Sequence, residues 1–218
     1  MHKGKLLIVV GAILLLGVSN GHDIEPSMSS GEALKLLVEG NQRYVASQYL
    51  HPHQLAERRT EIAKGQHPFA VILTCADSRV PPEVVFDQGL GDLFVIRVAG
   101  NIVDDAVLGS IEYAVAHLGT SLVVVMGHER CGAVSAAVSG GEVEGHIGTL
   151  VQAIRPAVLK VQGHSGDLLE NSIKTNVEMV TSGLAHSKPV LGHLVDEGKL
   201  RVVGAYYDLD EGSVQFLN

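Results

Sequence analysis

VILTCADSRVPPE, residues 71–83, passes without a break from an apolar stretch into a thiol, a carboxylate and a guanidinium at Cys75, Asp77 and Arg79. An apolar run with no polar alternation fits a strand buried on both faces, as in a parallel sheet. With the two residues before it the run reads FAVILT (69–74), and three similar β-branched runs follow: LFVIRV (93–98), SLVVVM (121–126) and LRVVGAYY (200–207). Between them lie stretches with helical periodicity. DDAVLGSIEYAVAHLG (104–119) has an Asp start, an apolar stripe and a Gly stop, and IGTLVQAIRPAVLKVQ (147–162) and DLLENSIKTNVEMVTSGLA (167–185) are also periodic. DLDEGS (208–213) turns the last run into VQFLN, a closing hairpin strand. Strand–helix alternation of this kind defines an α/β domain. We therefore expect a mostly parallel central sheet of about four strands plus a C-terminal antiparallel hairpin strand, with helices on both faces.

Upstream of the sheet, SSGEALKLLVEGNQRYVAS (29–47) reads as an amphipathic helix. Ser29 and Glu32 form a capping-box pattern, and Leu34, Leu37, Val38 and Val45 are expected on one face. A second helical stretch is expected from Pro52 through HQLAERRTEIAKG (53–65), stopped by Gly65. Together the two make an N-terminal helical arm. SGGEVEGH (139–146) is Gly-rich but carries no phosphate-loop pattern and reads as a loop.

The first 21 residues differ from the rest. A short basic start, MHKGK, precedes thirteen apolar or glycine residues, LLIVVGAILLLGV, and then the small residues Ser19 and Gly21. This is the layout of a secretory signal, and the apolar run falls short of the roughly 20 residues a membrane span needs. The expected organisation is a signal peptide at 1–21, a flexible lead-in at 22–28 and one catalytic domain at 29–218. The mature protein would be exported, periplasmic or secreted, with no stable membrane association. Net charge is −8, and cleavage would delete Lys3 and Lys5 and no acid, leaving 14 basic residues against 24 acidic ones. An acidic chain without a basic cluster excludes nucleic acid as a natural partner.

In an open α/β sheet, ligands bind beyond the carboxyl ends of the strands. Cys75 follows the end of FAVILT, and His128 and Cys131 follow the end of SLVVVM. If these strands are neighbours, two thiols and an imidazole meet at one place. Catalytic zinc takes three protein ligands and leaves the fourth tetrahedral position open. Two other readings stand beside that one. Asp77 is in reach as a fourth ligand of a closed site, although Arg79 can hold its carboxylate in a bidentate pair. The two cysteines could instead form a disulfide or remain free thiols, which would leave His128 unexplained.

The combination CADSR followed by HERC resembles the C-x-D-x-R … H-x-x-C signature of the β-class carbonic anhydrases, and the likeness runs through about residues 29–217. The resemblance implies one Zn2+ per chain held by Cys75, His128 and Cys131, with Asp77 and Arg79 as a catalytic dyad. It implies reversible hydration of CO2 to bicarbonate and a proton, by attack of zinc-bound hydroxide. Gln66, Phe94 and Tyr113 fall where plant-type members bind substrate. A homodimer or multiple of dimers is implied too, with active sites at the subunit interface and the N-terminal helices wrapping the partner. Two competing functions remain at this point: hydrolysis of carbonyl sulfide or carbon disulfide on the same scaffold, and a non-catalytic zinc or thiol protein. From residue type alone, Gln66 reads as a surface loop residue, Phe94 as strand core and Tyr113 as a helix core residue with its hydroxyl at the edge. His51, His53, His67 and His117 are candidate proton carriers, since an unperturbed imidazole titrates near 6.5.

Overall fold

A computed structural model describes residues 28–217, so the signal peptide expected at 1–21 and all but the last residue of the expected lead-in lie outside the described residues. The elements in chain order are α1 (Ser30–Val45), α2 (Ala56–Ile62), β1 (Ala70–Thr74), α3 (Pro82–Val85), β2 (Leu93–Arg97), a 3-10 turn (Ala99–Asn101), α4 (Asp105–Leu118), β3 (Leu122–His128), α5 (Gly132–Ser139), α6 (Ile147–Val161), α7 (Leu168–Ala185), α8 (Leu191–Asp196), β4 (Arg201–Tyr207) and β5 (Val214–Leu217). The sheet order is β2-β1-β3-β4-β5. The first four strands in that order run parallel, and β5 closes the edge antiparallel to β4. This is the expected α/β architecture. No described helix is long and apolar enough to cross a membrane.

The unbroken apolar runs are explained by burial on both faces. In β1 and β3 every residue is buried. Alternate side chains enter opposite cores: Ile72, Val124 and Met126 pack on one side with Leu37 of α1 and Ile154 of α6. Val71, Leu73, Val123 and Val125 pack on the other with Val107, Ile111 and Ala114 of α4. Each such side chain contributes about 1.5–3 kcal/mol of burial energy. The same logic fails for β2. It is an edge strand, and Leu93, Phe94, Val95 and Ile96 are only half-buried. The apolar run LFVIRV therefore does not mark a central strand of the isolated chain.

The arm departs from expectation at two places. Helix α1 has the expected capping box at Ser29 and Glu32, but its buried face is Ala33, Leu37, Gly40 and Asn41, and Val45 is 48% exposed. Its second half is anchored by backbone approach and polar bonds instead of an apolar stripe. A Cβ at Gly40 would sit 1.9 Å from the Phe86 carbonyl oxygen. The Asn41 amide donates to the carbonyls of Val85 and Gly212 and accepts from the Val214 N–H. The second helix does not begin at Pro52. His51 and His53 hold left-handed φ angles of 48° and 55°, which no helix accommodates, so α2 starts only at Ala56 and ends at Ile62. It buries none of its own residues. Met28 belongs to the body, since its carbonyl accepts from the Ser121 hydroxyl at 2.7 Å.

Candidate metal centre and active site

Strands β1 and β3 are adjacent and in parallel register, with Thr74 opposite Met126. Cys75 and His128 thus leave the same end of the sheet side by side. Cys131 follows in the tight loop after β3 and caps the N-terminus of α5. One donor atom from each of Cys75, His128 and Cys131 lies within 4.8 Å of the other two, and all three residues are buried. The cysteines are not bonded to each other; their sulfurs stand 4.0 Å apart. Two thiolates bound at about 2.3 Å in a tetrahedral zinc site would be roughly 3.8 Å apart.

His128 supplies the sharpest test of metal fit. Its ring is fully buried. Nδ1 lies 2.8 Å from the Glu129 carbonyl, so it carries the proton and donates there. Nε2 is then a bare lone pair, and it has no hydrogen-bond partner. A buried nitrogen without a partner is costly unless something accepts its lone pair. A soft divalent cation between that nitrogen and two sulfurs does so, and the donor set fits zinc.

The sulfurs are prepared for ionisation. The Cys131 thiol hydrogen bond pulls the Cys75 thiol down to about 4 despite burial, helped by the Gly100 N–H, which donates to the sulfur at 3.3 Å. The charge on Cys75 and burial hold Cys131 far up, so without a metal the pair loses one proton easily and keeps the second. Gly100 owes this contact to a left-handed φ of 75°, and a Cβ there would stand 2.6 Å from Ile154 Cδ1.

Asp77 sits at the open side of the three donors but outside their set. Its Oδ2 is 3.8 Å from His128 Nε2. The Arg79 guanidinium grips the carboxylate in a fork, Nε to Oδ1 at 2.9 Å and Nη2 to Oδ2 at 2.8 Å, and the Arg79 N–H adds a third bond. This pairing holds the Asp77 carboxyl well below the usual carboxylate range. The geometry brings three donors together, leaves the two cysteines unbonded and pairs Asp77 with Arg79 beside the donor set.

The residues expected to bind substrate are not brought to this pocket. Gln66 is exposed and precedes β1, at the opposite end of the sheet from Cys75. Phe94 pairs with Val71, about 13 Å back along the strand from Cys75. Tyr113 is 49% exposed and not a core residue, with its ring 6.4 Å from that of Phe94 and 5.5 Å from that of His117. His53 is tied to Asp92 at 2.7 Å and His51 stacks on Tyr49, both on the arm.

Two supports escaped the sequence reading. Arg97, last in β2, donates to the carbonyls of Cys75 and Asp77. A charge at the end of an apolar run was the available signal, the same one that singled out Cys75. The second is the clamp on the His128–Cys131 loop. Arg130 makes a two-pronged pair with Asp210, and Glu129 Oε2 accepts from the Leu209 N–H, tying the loop to the β4–β5 turn. A backbone carbonyl partner such as that of Glu129 leaves no trace in side-chain pattern.

Comparison with known proteins agrees with this geometry. The family described as carbonic anhydrase matches residues 70–214. The chain is 41% identical to carbonic anhydrase 2 of Mycobacterium tuberculosis (strain CDC 1551 / Oshkosh) over 191 residues, covering 86% of this chain and 92% of that protein. It is 40% identical to the carbonic anhydrase of Mycolicibacterium smegmatis over 194 residues, 87% and 94% of the two chains. Among solved structures, it is similar to a tetrameric β-carbonic anhydrase from the filamentous ascomycete Sordaria macrospora, with TM-score 0.70 and 26% identity over 86% of this chain and 98% of that one. It is likewise similar to the Coccomyxa β-carbonic anhydrase in complex with acetazolamide, with TM-score 0.68 and 27% identity over 84% and 86%. On this combination of motif, topology and similarity over most of the chain, the chain belongs to the β-carbonic anhydrase family.

Proposed function

We propose that this protein catalyses the reversible hydration of carbon dioxide to bicarbonate and a proton, with zinc held by Cys75, His128 and Cys131. The observation that carries the reading is the buried Cys-His-Cys set with its bare imidazole nitrogen, beside a carboxylate locked by arginine. Zinc in such a site acts as a Lewis acid that brings the pKa of water toward neutrality. Asp77 is the hydrogen-bond acceptor beside the three donors. Ionised, it is acceptor-only, so Oδ2 receives a hydrogen bond from the attacking oxygen and turns that oxygen's lone pair toward the carbon of CO2. Arg79 keeps Asp77 anionic and away from the metal position. The Glu129 carbonyl accepts from His128 Nδ1 and so aims Nε2 at the donors.

The ligand charges set a pH dependence. Two thiolates cancel the charge of a divalent ion, whereas three imidazoles would leave it at +2, so water in this site is acidified less. Stopped-flow hydration of CO2 should therefore rise through the alkaline side of neutral, and a zinc chelator should remove it. A rate that is flat from mildly acidic to alkaline pH, or indifferent to chelation, would refute the reading.

The site is completed by a second copy. Gln66, Phe94 and Tyr113 line the exposed amino end of the sheet near edge strand β2, and a two-fold axis carries such a patch onto the partner's pocket. A helix that buries nothing, α2, and the exposed Leu50, Leu55, Val84 and Leu90 support an arm that closes over a partner. Sedimentation should find dimers or their multiples; a fully active monomer would contradict this.

A further inference from the structure

Past Thr74 the β1–β2 ladder adds a single bond, from the Val98 N–H to the Thr74 carbonyl at 3.1 Å, and the chain then turns away. Of the next carbonyls on the β1 side, that of Cys75 has no strand to pair with, and that of Asp77 accepts one turn bond, from the Val80 N–H at 3.2 Å. Arg97 takes the strand's place. Its Nε donates to the Cys75 carbonyl at 3.2 Å and its Nη2 to the Asp77 carbonyl at 2.5 Å. Arg97 makes no ion pair among the described residues, so its fork is spent on these two carbonyls. A guanidinium fits the task because its donors are fixed in one plane, which an ammonium cannot reproduce.

We infer that Arg97 is the positioning residue for Asp77: it fastens the backbone of residues 75–77 so that the Asp77 carboxylate stays beside the metal donors and out of their centre. Asp77 is thus held at both ends, its carbonyl by Arg97 and the Val80 N–H and its carboxylate by Arg79. The turn bond and the Arg79 fork both lie within residues 77–80, so without Arg97 this turn is left to hinge as a unit on the main chain. With Arg97 lost, the carboxylate and its Arg79 partner swing together on a loosened main chain, and Cys75 shares the slack. The inference rests on the functional reading above, and its test separates the two.

The test is a double-mutant cycle of Arg97→Gln and Asp77→Asn, with zinc content measured for every variant. Loss of an outer-shell support typically costs about 10–100-fold, so Arg97→Gln with full zinc should lose that much kcat with KM unchanged. Because the effect runs through Asp77, the double variant should be no slower than Asp77→Asn alone, whereas a merely structural role would add to it. Low-millimolar guanidinium should restore part of the activity of Arg97→Ala. In zinc-free protein, amide exchange of residues 75–80 should speed up in Arg97→Gln while that of β3 stays native. Native kcat in zinc-loaded Arg97→Gln, additive losses in the cycle, or unchanged exchange at 75–80 would each overturn the inference. A wild-type protein that binds no zinc and does not hydrate CO2 would instead sink the functional reading, leaving the exchange result to stand alone.

Discussion

Replacing His128 with alanine is expected to give a folded protein that retains no zinc and hydrates CO2 at no more than about a thousandth of the native rate, since unassisted water has a pKa of 15.7 rather than about 7. The ring is fully buried at the end of a central strand, and Nε2 is the one nitrogen of the site without a partner. Removing it takes away the neutral ligand and leaves two sulfurs 4.0 Å apart that keep a proton between them. The substitution also opens a cavity, so Cys131→Ser, which changes a single atom, should accompany it. Both variants should keep the native circular dichroism spectrum, and both should be metal-free by elemental analysis. One zinc per chain with native turnover in either would remove the basis for the assigned donors.

Asp77→Asn is expected to lower kcat by about 10²–10³-fold, the range found when a preorganised polar contact is lost, while zinc stays at one per chain. Zinc is retained because Asp77 is not one of the three donors. Turnover falls because the amide replaces one acceptor oxygen with a donor, and Arg79 is left facing a neutral group. Stability gives an independent check. Arg79 holds the Asp77 carboxyl below its ordinary value, so its contribution is fully present above the unfolded carboxylate pKa of about 3.9. It is lost as pH falls from there toward the lowered folded value. The melting temperatures of the native protein and Asp77→Asn should therefore differ most at neutral pH and converge in acid. Zinc loss in Asp77→Asn would mean that the carboxylate is a ligand after all, and native kcat would mean that it is a bystander.

Much of this protein was legible in one dimension. Continuous apolar runs identified β1 and β3 because a strand covered on both faces needs no polar alternation. They misdescribed β2, since the same composition also suits an edge that remains half-exposed in a single chain. Capping chemistry placed the starts of α1 and α4 at Ser29 and Asp104, where a short polar side chain satisfies a free N–H. The start expected for α2 at Pro52 failed, because the left-handed turn at His51 and His53 delays the helix to Ala56.

The sequence by itself determined the chemistry on offer: two thiols, an imidazole and a carboxylate–guanidinium couple, each placed where an apolar run ends. Those are local properties, set by residue type and by period along the chain. Tertiary structure alone decided that the sulfurs and the imidazole converge, through the parallel pairing of β1 with β3. It alone decided that the imidazole presents Nε2, through the Glu129 carbonyl, and that Arg97 fastens the Asp77 loop from another strand. It also put Gln66, Phe94 and Tyr113 at the far end of the sheet. These outcomes depend on backbone groups and on contacts between distant segments, and neither is written in any one stretch of residues.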